Sequence, residues 1–114
     1  MMDNCIFCKI INKDIRAEIV MEEPDYLVIK DIEPRAPTHL LIISKKHIES
    51  MVQLQEEDKR LYGELFFGIK KVSELMGISE KGFRTIINCG KEAGQEVPHL
   101  HIHILGGQKL ASFA

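Results

Sequence analysis

The stretch "PHLHIHILGG", residues 98–107, places three of the chain's five histidines at positions 99, 101 and 103 with single aliphatic spacers. Alternation with a period of two matches a β-strand, so His99, His101 and His103 are expected to share one face. Leu100, Ile102 and Ile104 then share the other face, against the core. A rise of roughly 3.3 Å per residue puts neighbouring imidazoles on that face about 6.5–7 Å apart at Cβ, near enough to serve one bound group. Two charged rings at that distance disfavour each other, which keeps some of them neutral. Two chemistries fit: zinc chelation through neutral imidazole nitrogen, or nucleophilic attack by one ring while its neighbour handles protons or charge.

The segment before this strand, "NCGKEAGQEVPH", carries Asn88, Gly90, Gly94 and Gln95. Glycines let backbone N–H groups approach an anion, and Asn and Gln add neutral donors. Next to the histidines, this favours attack at phosphorus over a metal-bound hydroxide. Further outward, "THLLIIS" (38–44) is a short, nearly continuous apolar run, expected as a central strand buried on both faces. "EIVMEEPDYLVIKDI" reads as two strands around a turn at Glu23-Pro24-Asp25, and "FRTIINC" (83–89) as another strand. Leu61, Leu65, Ile69, Val72 and Met76 recur at helical spacing, with Glu56, Glu57 and Asp58 at the start and Gly77 as the stop. Inside that helix stand Gly63 and Gly68, each costing about 1 kcal/mol relative to alanine unless close packing requires it. The expected fold is α+β: a mainly antiparallel sheet of about five strands with one long helix.

Composition narrows the functional classes. A chain of 114 residues with no repeat or linker makes one domain, residues 1–114. A formal net charge of −2 gives no reason to expect nucleic acid or an anionic membrane as partner. No apolar run approaches a membrane span, and "MMDNCIFCKI" lacks a signal-peptide layout, so the expected location is the cytoplasm, with reduced cysteines.

His99-Leu-His101-Ile-His103-Ile-Leu105 resembles the signature of the histidine triad (HIT) superfamily, and "DIEPRAPTHLLIISKKHI" with "GQEVPHLHIHILGG" resembles its histidine triad nucleotide-binding branch. The similarity runs from about Cys5 to Gly107. It implies a homodimeric nucleotidyl hydrolase or transferase acting on purine nucleoside phosphoramidates, of the AMP-NH2 or AMP-lysine type, through a covalent nucleotidyl-histidine. His101 matches the nucleophile, and His103 the histidine that contacts the phosphate and assists the leaving group. His39 matches a supporting histidine. Asn88, Gly94 and Gln95 match phosphate-loop positions, and backbone N–H groups of that loop are expected to steady the phosphate oxygens. Asp31 and Ile32 match ribose and base positions, and Phe7, Ile10 and Ile29 complete an apolar base pocket or else belong to the core. No metal is required at the reacting phosphorus. Glu96 stands where several relatives have a small hydroxyl residue near the leaving group, so it joins the nucleotide-binding set with a possible bias toward amines. The tail "GQKLASFA" is short and has no tryptophan. Alternatives are a dinucleoside polyphosphate hydrolase and a nucleotide-binding scaffold with incidental hydrolysis.

Cys5 and Cys8 form a C-x2-C step ahead of the first strand, which does not suit a thioredoxin-like redox motif. Two thiolates need two more ligands for a closed zinc site. The resemblance implies His47 and His99, so Cys5, Cys8, His47 and His99 are expected to hold a structural Zn2+, against the alternative of two unliganded thiols. Cys89 has no partner in the sequence and is expected as a small core residue.

Overall fold

The computed structural model describes residues 4–112. The first three residues lie outside them, as do the last two, the end of the tail whose shortness was noted above. Element order is α1 (Ile6–Ile11), β1 (Ile19–Glu22), β2 (Tyr26–Lys30), β3 (Thr38–Ser44), α2 (Lys59–Leu75), β4 (Phe83–Ile86) and β5 (His101–Gly106), with short 3-10 turns between some of them. The strands form one five-stranded sheet in the order β1-β2-β3-β5-β4, every neighbouring pair antiparallel. The expected α+β architecture is therefore the observed one. Among the described residues no helix is long and apolar enough to cross a membrane.

Strand periodicity divides the core in two. Val28, Leu40, Ile42, Ile102 and Ile104 face α2, where Leu61, Leu65, Ile69 and Val72 close the main core. Truncating a side chain there, such as Leu65 at 1% exposure, costs about 2–5 kcal/mol. Leu27, Ile29, Leu41 and Ile43 face the other way and pack with Cys5, Phe7, Cys8 and Ile10 of the α1 region. The cross-strand pairs His39–Leu105, Leu41–His103 and Ile43–His101 lie on this second face. Because α1 is only six residues long, it covers part of that face. What it leaves open is the cavity described below.

Sequence periodicity missed α1, since six residues are too few for a helical repeat to show. Cys5 starts it, its Sγ accepting from the Cys8 N–H at 3.5 Å. The strand expected at 83–89 ends at Ile86, so Asn88 is free of the ladder. Met76 caps α2, and Gly77 follows at a φ of +72°, as a stop requires. Residues Glu56–Asp58 form a 3-10 turn ahead of α2 instead of its first turn. There the carboxylate of buried Asp58 accepts from Lys46 Nζ at 2.6 Å and from the Gln55 N–H at 2.9 Å. The two helix glycines prove unlike. A Cβ on Gly68 would stand 2.6 Å from the Tyr26 ring and 2.8 Å from Ile42, whereas Gly63 has open space around it. Gly68 is thus needed for α2 to lie close on the sheet, against side chains and not against another backbone.

Candidate active site and metal cluster

The strand expected to carry all three histidines begins only at His101. His99 lies two residues before it, in a turn where its N–H reaches the Val97 carbonyl at 2.8 Å and the Leu100 N–H reaches Ile48 at 2.7 Å. That turn aims the His99 ring away from the strand row, toward the α1 cysteines.

Hydrogen-bond partners define the protonation of each ring, because a carbonyl can only accept and an amide N–H can only donate. His99 Nε2 sits 2.7 Å from the Ser44 carbonyl, so it carries the proton and Nδ1 keeps a lone pair. His99 is fully buried, and burial pushes its pKa down to about 4, so the ring is neutral. Its Nδ1 lies 3.3 Å from Cys5 Sγ and 3.7 Å from Cys8 Sγ, while His47 Nδ1 lies 3.2 Å from Cys8 Sγ. The four potential ligand atoms of Cys5, Cys8, His47 and His99 lie within 4.8 Å of one another. Around tetrahedral zinc, with bonds of about 2.3 Å to sulfur and about 2.0–2.1 Å to nitrogen, neighbouring S and N atoms stand about 3.6 Å apart. The cluster therefore has the donor chemistry, the spacing and, through Ser44, the outer hydrogen bond that zinc-binding histidines use.

His101 has the reverse pattern. Its Nδ1 stands 2.6 Å from the His99 carbonyl, so Nδ1 bears the proton and Nε2 has the lone pair. A relay determines His103. The Arg35 N–H donates to His39 Nδ1 at 3.0 Å, which puts the His39 proton on Nε2. That Nε2 is 3.0 Å from His103 Nδ1 and 3.4 Å from an Asp31 carboxylate oxygen. His39 thus donates to His103 Nδ1, and the His103 proton sits on Nε2. Burial lowers the pKa of His39, His101 and His103 alike, which keeps all three neutral near pH 7. Asp31, His39 and His103 also lie close enough to hold a cation. Yet His39 would have to surrender its Nε2 proton while still accepting from Arg35, so the hydrogen-bond relay accounts for this group better.

His39, His101 and His103 line a cavity of about 450 Å³ on the open part of the second sheet face. Phe7, Asp31, Asn88, Gly94 and Glu96 line it as well, together with Glu33, Arg35, Leu41, Ile86 and Val97, which sequence reasoning had not singled out. Leu41 and Ile86 were legible only through register, since both pair with His103. Ile10 on α1 and Ile29 on β2 lie in the core between that helix and the sheet, the alternative left open for them. Ile32 is 90% exposed and does not line the cavity. Gln95 lies behind the wall: its Oε1 accepts from Gly90 N–H at 2.8 Å, and its Nε2 donates to the carbonyls of Glu49 and Val97. The N–H groups of Ala93, Gly94 and Gln95 turn back on the carbonyls of Gly90 and Lys91. These three amides brace the loop instead of reaching into the cavity. Cys89 is half-buried instead of in the core, its thiol pKa lowered by the Ser50 hydroxyl and by N–H groups of Val52 and Met51.

The five-stranded sheet that carries these imidazoles has counterparts in known proteins. The family model described as the HIT domain matches residues 12–110 of this chain. The chain is 47% identical over 105 residues to Protein HitA of Neisseria gonorrhoeae, covering 92% of this chain and 97% of that protein. A histidine triad protein from Clostridium difficile superposes with a TM-score of 0.96 at 38% identity, covering 100% of this chain and 99% of that one. A HIT family hydrolase from Legionella pneumophila Philadelphia 1 gives 0.92 at 42% identity, with 95% and 96% coverage. This protein belongs to the HIT domain family.

Proposed function

We propose that the protein is a hydrolase of purine nucleoside phosphoramidates working through a covalent nucleotidyl-His101. The observation that carries this reading is the pairing of opposite tautomers in one cavity: an Nε2 lone pair on His101 beside an Nε2–H on His103. One ring can attack an electrophile while the other donates to the charge that develops on it.

The reaction has two displacements. His101 Nε2 attacks the α-phosphorus, the P–N bond to the amine breaks, and the amine leaves with the bonding pair and a proton taken from solvent. His103 Nε2–H steadies the phosphoryl oxygens during this step, and His39 keeps it oriented as a donor. The phosphorylated His101 ring carries a positive charge, which the His99 carbonyl 2.6 Å from Nδ1 offsets. Water then attacks phosphorus and gives up a proton to solvent, and the bond to Nε2 breaks with its pair returning to the ring, leaving a nucleoside monophosphate. The acids Asp31, Glu33 and Glu96 around the cavity, with Arg35 as their counter-charge, suit a leaving group that departs as a cationic amine. The Legionella relative's description as a hydrolase supports the reaction class.

Cys5, Cys8, His47 and His99 are read as ligands of a structural zinc, whose chemistry is to hold α1 on the sheet. Metal analysis of protein purified without chelator should find about one equivalent, and less than half an equivalent would sink this assignment. We also read the protein as a homodimer, supported by Phe66 and Phe67 exposed on α2 near the uncovered Gly63. A monomer at micromolar concentration in sedimentation would refute that. The covalent step is tested by rapid quenching of a single turnover with labelled adenosine phosphoramidate. Acid-labile label should appear on His101; no label and no turnover would leave only nucleotide binding.

A further inference from the structure

Phe7 stands in the chain between Cys5 and Cys8, and its ring stands between the metal cluster and the row of imidazoles. The ring meets His99 edge-on at a centroid distance of 5.8 Å and His101 at 5.0 Å, and only 5% of the residue is exposed. The flanking cysteines and Ile10 bury α1 against Leu27, Ile29, Leu41 and Ile43, so the position of Phe7 is set from both sides.

The His101 ring needs such a support. Among the described residues its one hydrogen bond, from Nδ1 to the His99 carbonyl, selects the nitrogen left free but fixes the ring at that atom only. Among the described residues its contacts with other rings are with Phe7 and with His103, the latter at 5.3 Å and 63°. His103 is itself held by His39, but its Nε2 must engage the substrate. The Phe7 ring has no hydrogen-bonding group and undergoes no chemistry, so it can stay fixed through both displacements.

We propose that Phe7 is a positioning residue that holds His101 Nε2 in line with the phosphorus, transmitting the seating of α1 by Cys5 and Cys8 to the nucleophile. This rests on the reading of His101 as nucleophile, and it gives Phe7 a task other than the nucleobase contact expected from the resemblance. A base contact changes the affinity of substrates that carry a base. A positioning contact changes the rate for every phosphoramidate, because a misplacement of about 1 Å costs up to about 100-fold.

The test uses zinc-loaded full-length protein as wild type, Phe7→Ala and Phe7→Leu. Each is assayed on adenosine phosphoramidate and on the ribose phosphoramidate lacking a base, with zinc content and the NMR line shape of the His101 ring measured alongside. In Phe7→Ala, kcat is expected to fall by the same factor on both substrates, between about 10-fold and 100-fold. KM should change little, zinc should stay at the wild-type level, and the His101 resonance should show motional averaging. Phe7→Leu should recover most of the rate. A loss confined to KM for the base-bearing substrate would overturn the proposal, as would a loss that tracks departing zinc. If Phe7→Ala does not fold, Phe7→Leu must show a smaller kcat loss of the same kind on both substrates. Wild-type rates on the base-free substrate would then refute the idea. Should wild type itself form no nucleotidyl-His101, the proposed reaction fails separately. The ring resonance then decides, and a His101 ring as ordered in Phe7→Ala as in wild type overturns the positioning role.

Discussion

His99 and His101 are two residues apart, both buried and both neutral, yet each keeps the opposite nitrogen free. At His99 the Ser44 carbonyl takes Nε2–H and leaves Nδ1 for the thiols of Cys5 and Cys8. At His101 the His99 carbonyl takes Nδ1–H and leaves Nε2 for the cavity. His103 differs again, because His39 donates to its Nδ1 and makes Nε2 a donor. Residue type supplies an imidazole, and the neighbouring acceptor or donor decides what that imidazole can do.

Substitution should separate the two ends sharply. His101→Ala is expected to lower single-turnover hydrolysis by about four orders of magnitude or more, as loss of a covalent nucleophile does. Zinc content should stay at the wild-type level, and the melting temperature should shift little by comparison. His99→Ala should do the reverse in order of events: metal is lost and stability falls by at least about 3 kcal/mol, with activity following the fold. Zinc titration and thermal melts on the two variants give the comparison directly. Equal zinc loss in both would merge the two regions into one three-histidine metal site.

The relay is a subtler contrast, since it acts through a proton and not through a bond to substrate. His39→Leu can neither accept from the Arg35 N–H nor donate to His103 Nδ1, so it cannot fix His103 as a donor. Its kcat should fall by about 100-fold, while nucleotidyl-His101 still forms and zinc is retained. If His39→Leu instead blocks labelling of His101 altogether, then His39 serves the nucleophile and not its neighbour.

Much of this arrangement could be seen in the sequence, but not its decisive part. Period two in "HLHIHIL", the apolar run of β3 and the stripe on α2 gave the sheet, its buried strand and its helix because each repeats often enough to show. Helix α1 did not show, and neither did the turn that removes His99 from the strand, since one hydrogen bond to Val97 leaves no periodic trace. Arg35 was invisible for a related reason: its contribution to the relay is a backbone N–H, which any residue but proline possesses. Gln95 was legible as a loop residue, though which way its amide points depended on carbonyls at Glu49 and Val97.

Acidity probes the cavity end through charge alone. His39 and His103 have pKa values lowered by burial, the neighbouring imidazole charges adding to the shift at His103. Their neutral forms therefore persist below the ordinary imidazole value of about 6.5. The sign follows: the unfolded chain takes up protons first as pH falls, so their contribution to stability is complete above about pH 6.5 and is lost below it. The rate should likewise hold through pH 6.5 and drop only further into acid, as protonated His39 and His103 cease to share one proton. A pH profile of kcat with its acid limb above 6.5 would contradict neutral, buried rings.

The smallest expected effect lies at the rim, where a charge faces water. Glu96 is exposed and lines the cavity, and its carboxylate acts on His101 through charge, favouring the protonated ring. An exposed ion pair is worth at most about 1 kcal/mol, so Glu96→Gln should lower kcat/KM for a cationic amine leaving group by no more than about fivefold. For an uncharged aromatic amine the change should be smaller, and raising the salt concentration should erase the difference between the two substrates. Neither the zinc content nor the label on His101 depends on this contact. Equal losses on both leaving groups, insensitive to salt, would mean that Glu96 shapes the cavity wall beside His101 instead of selecting the amine.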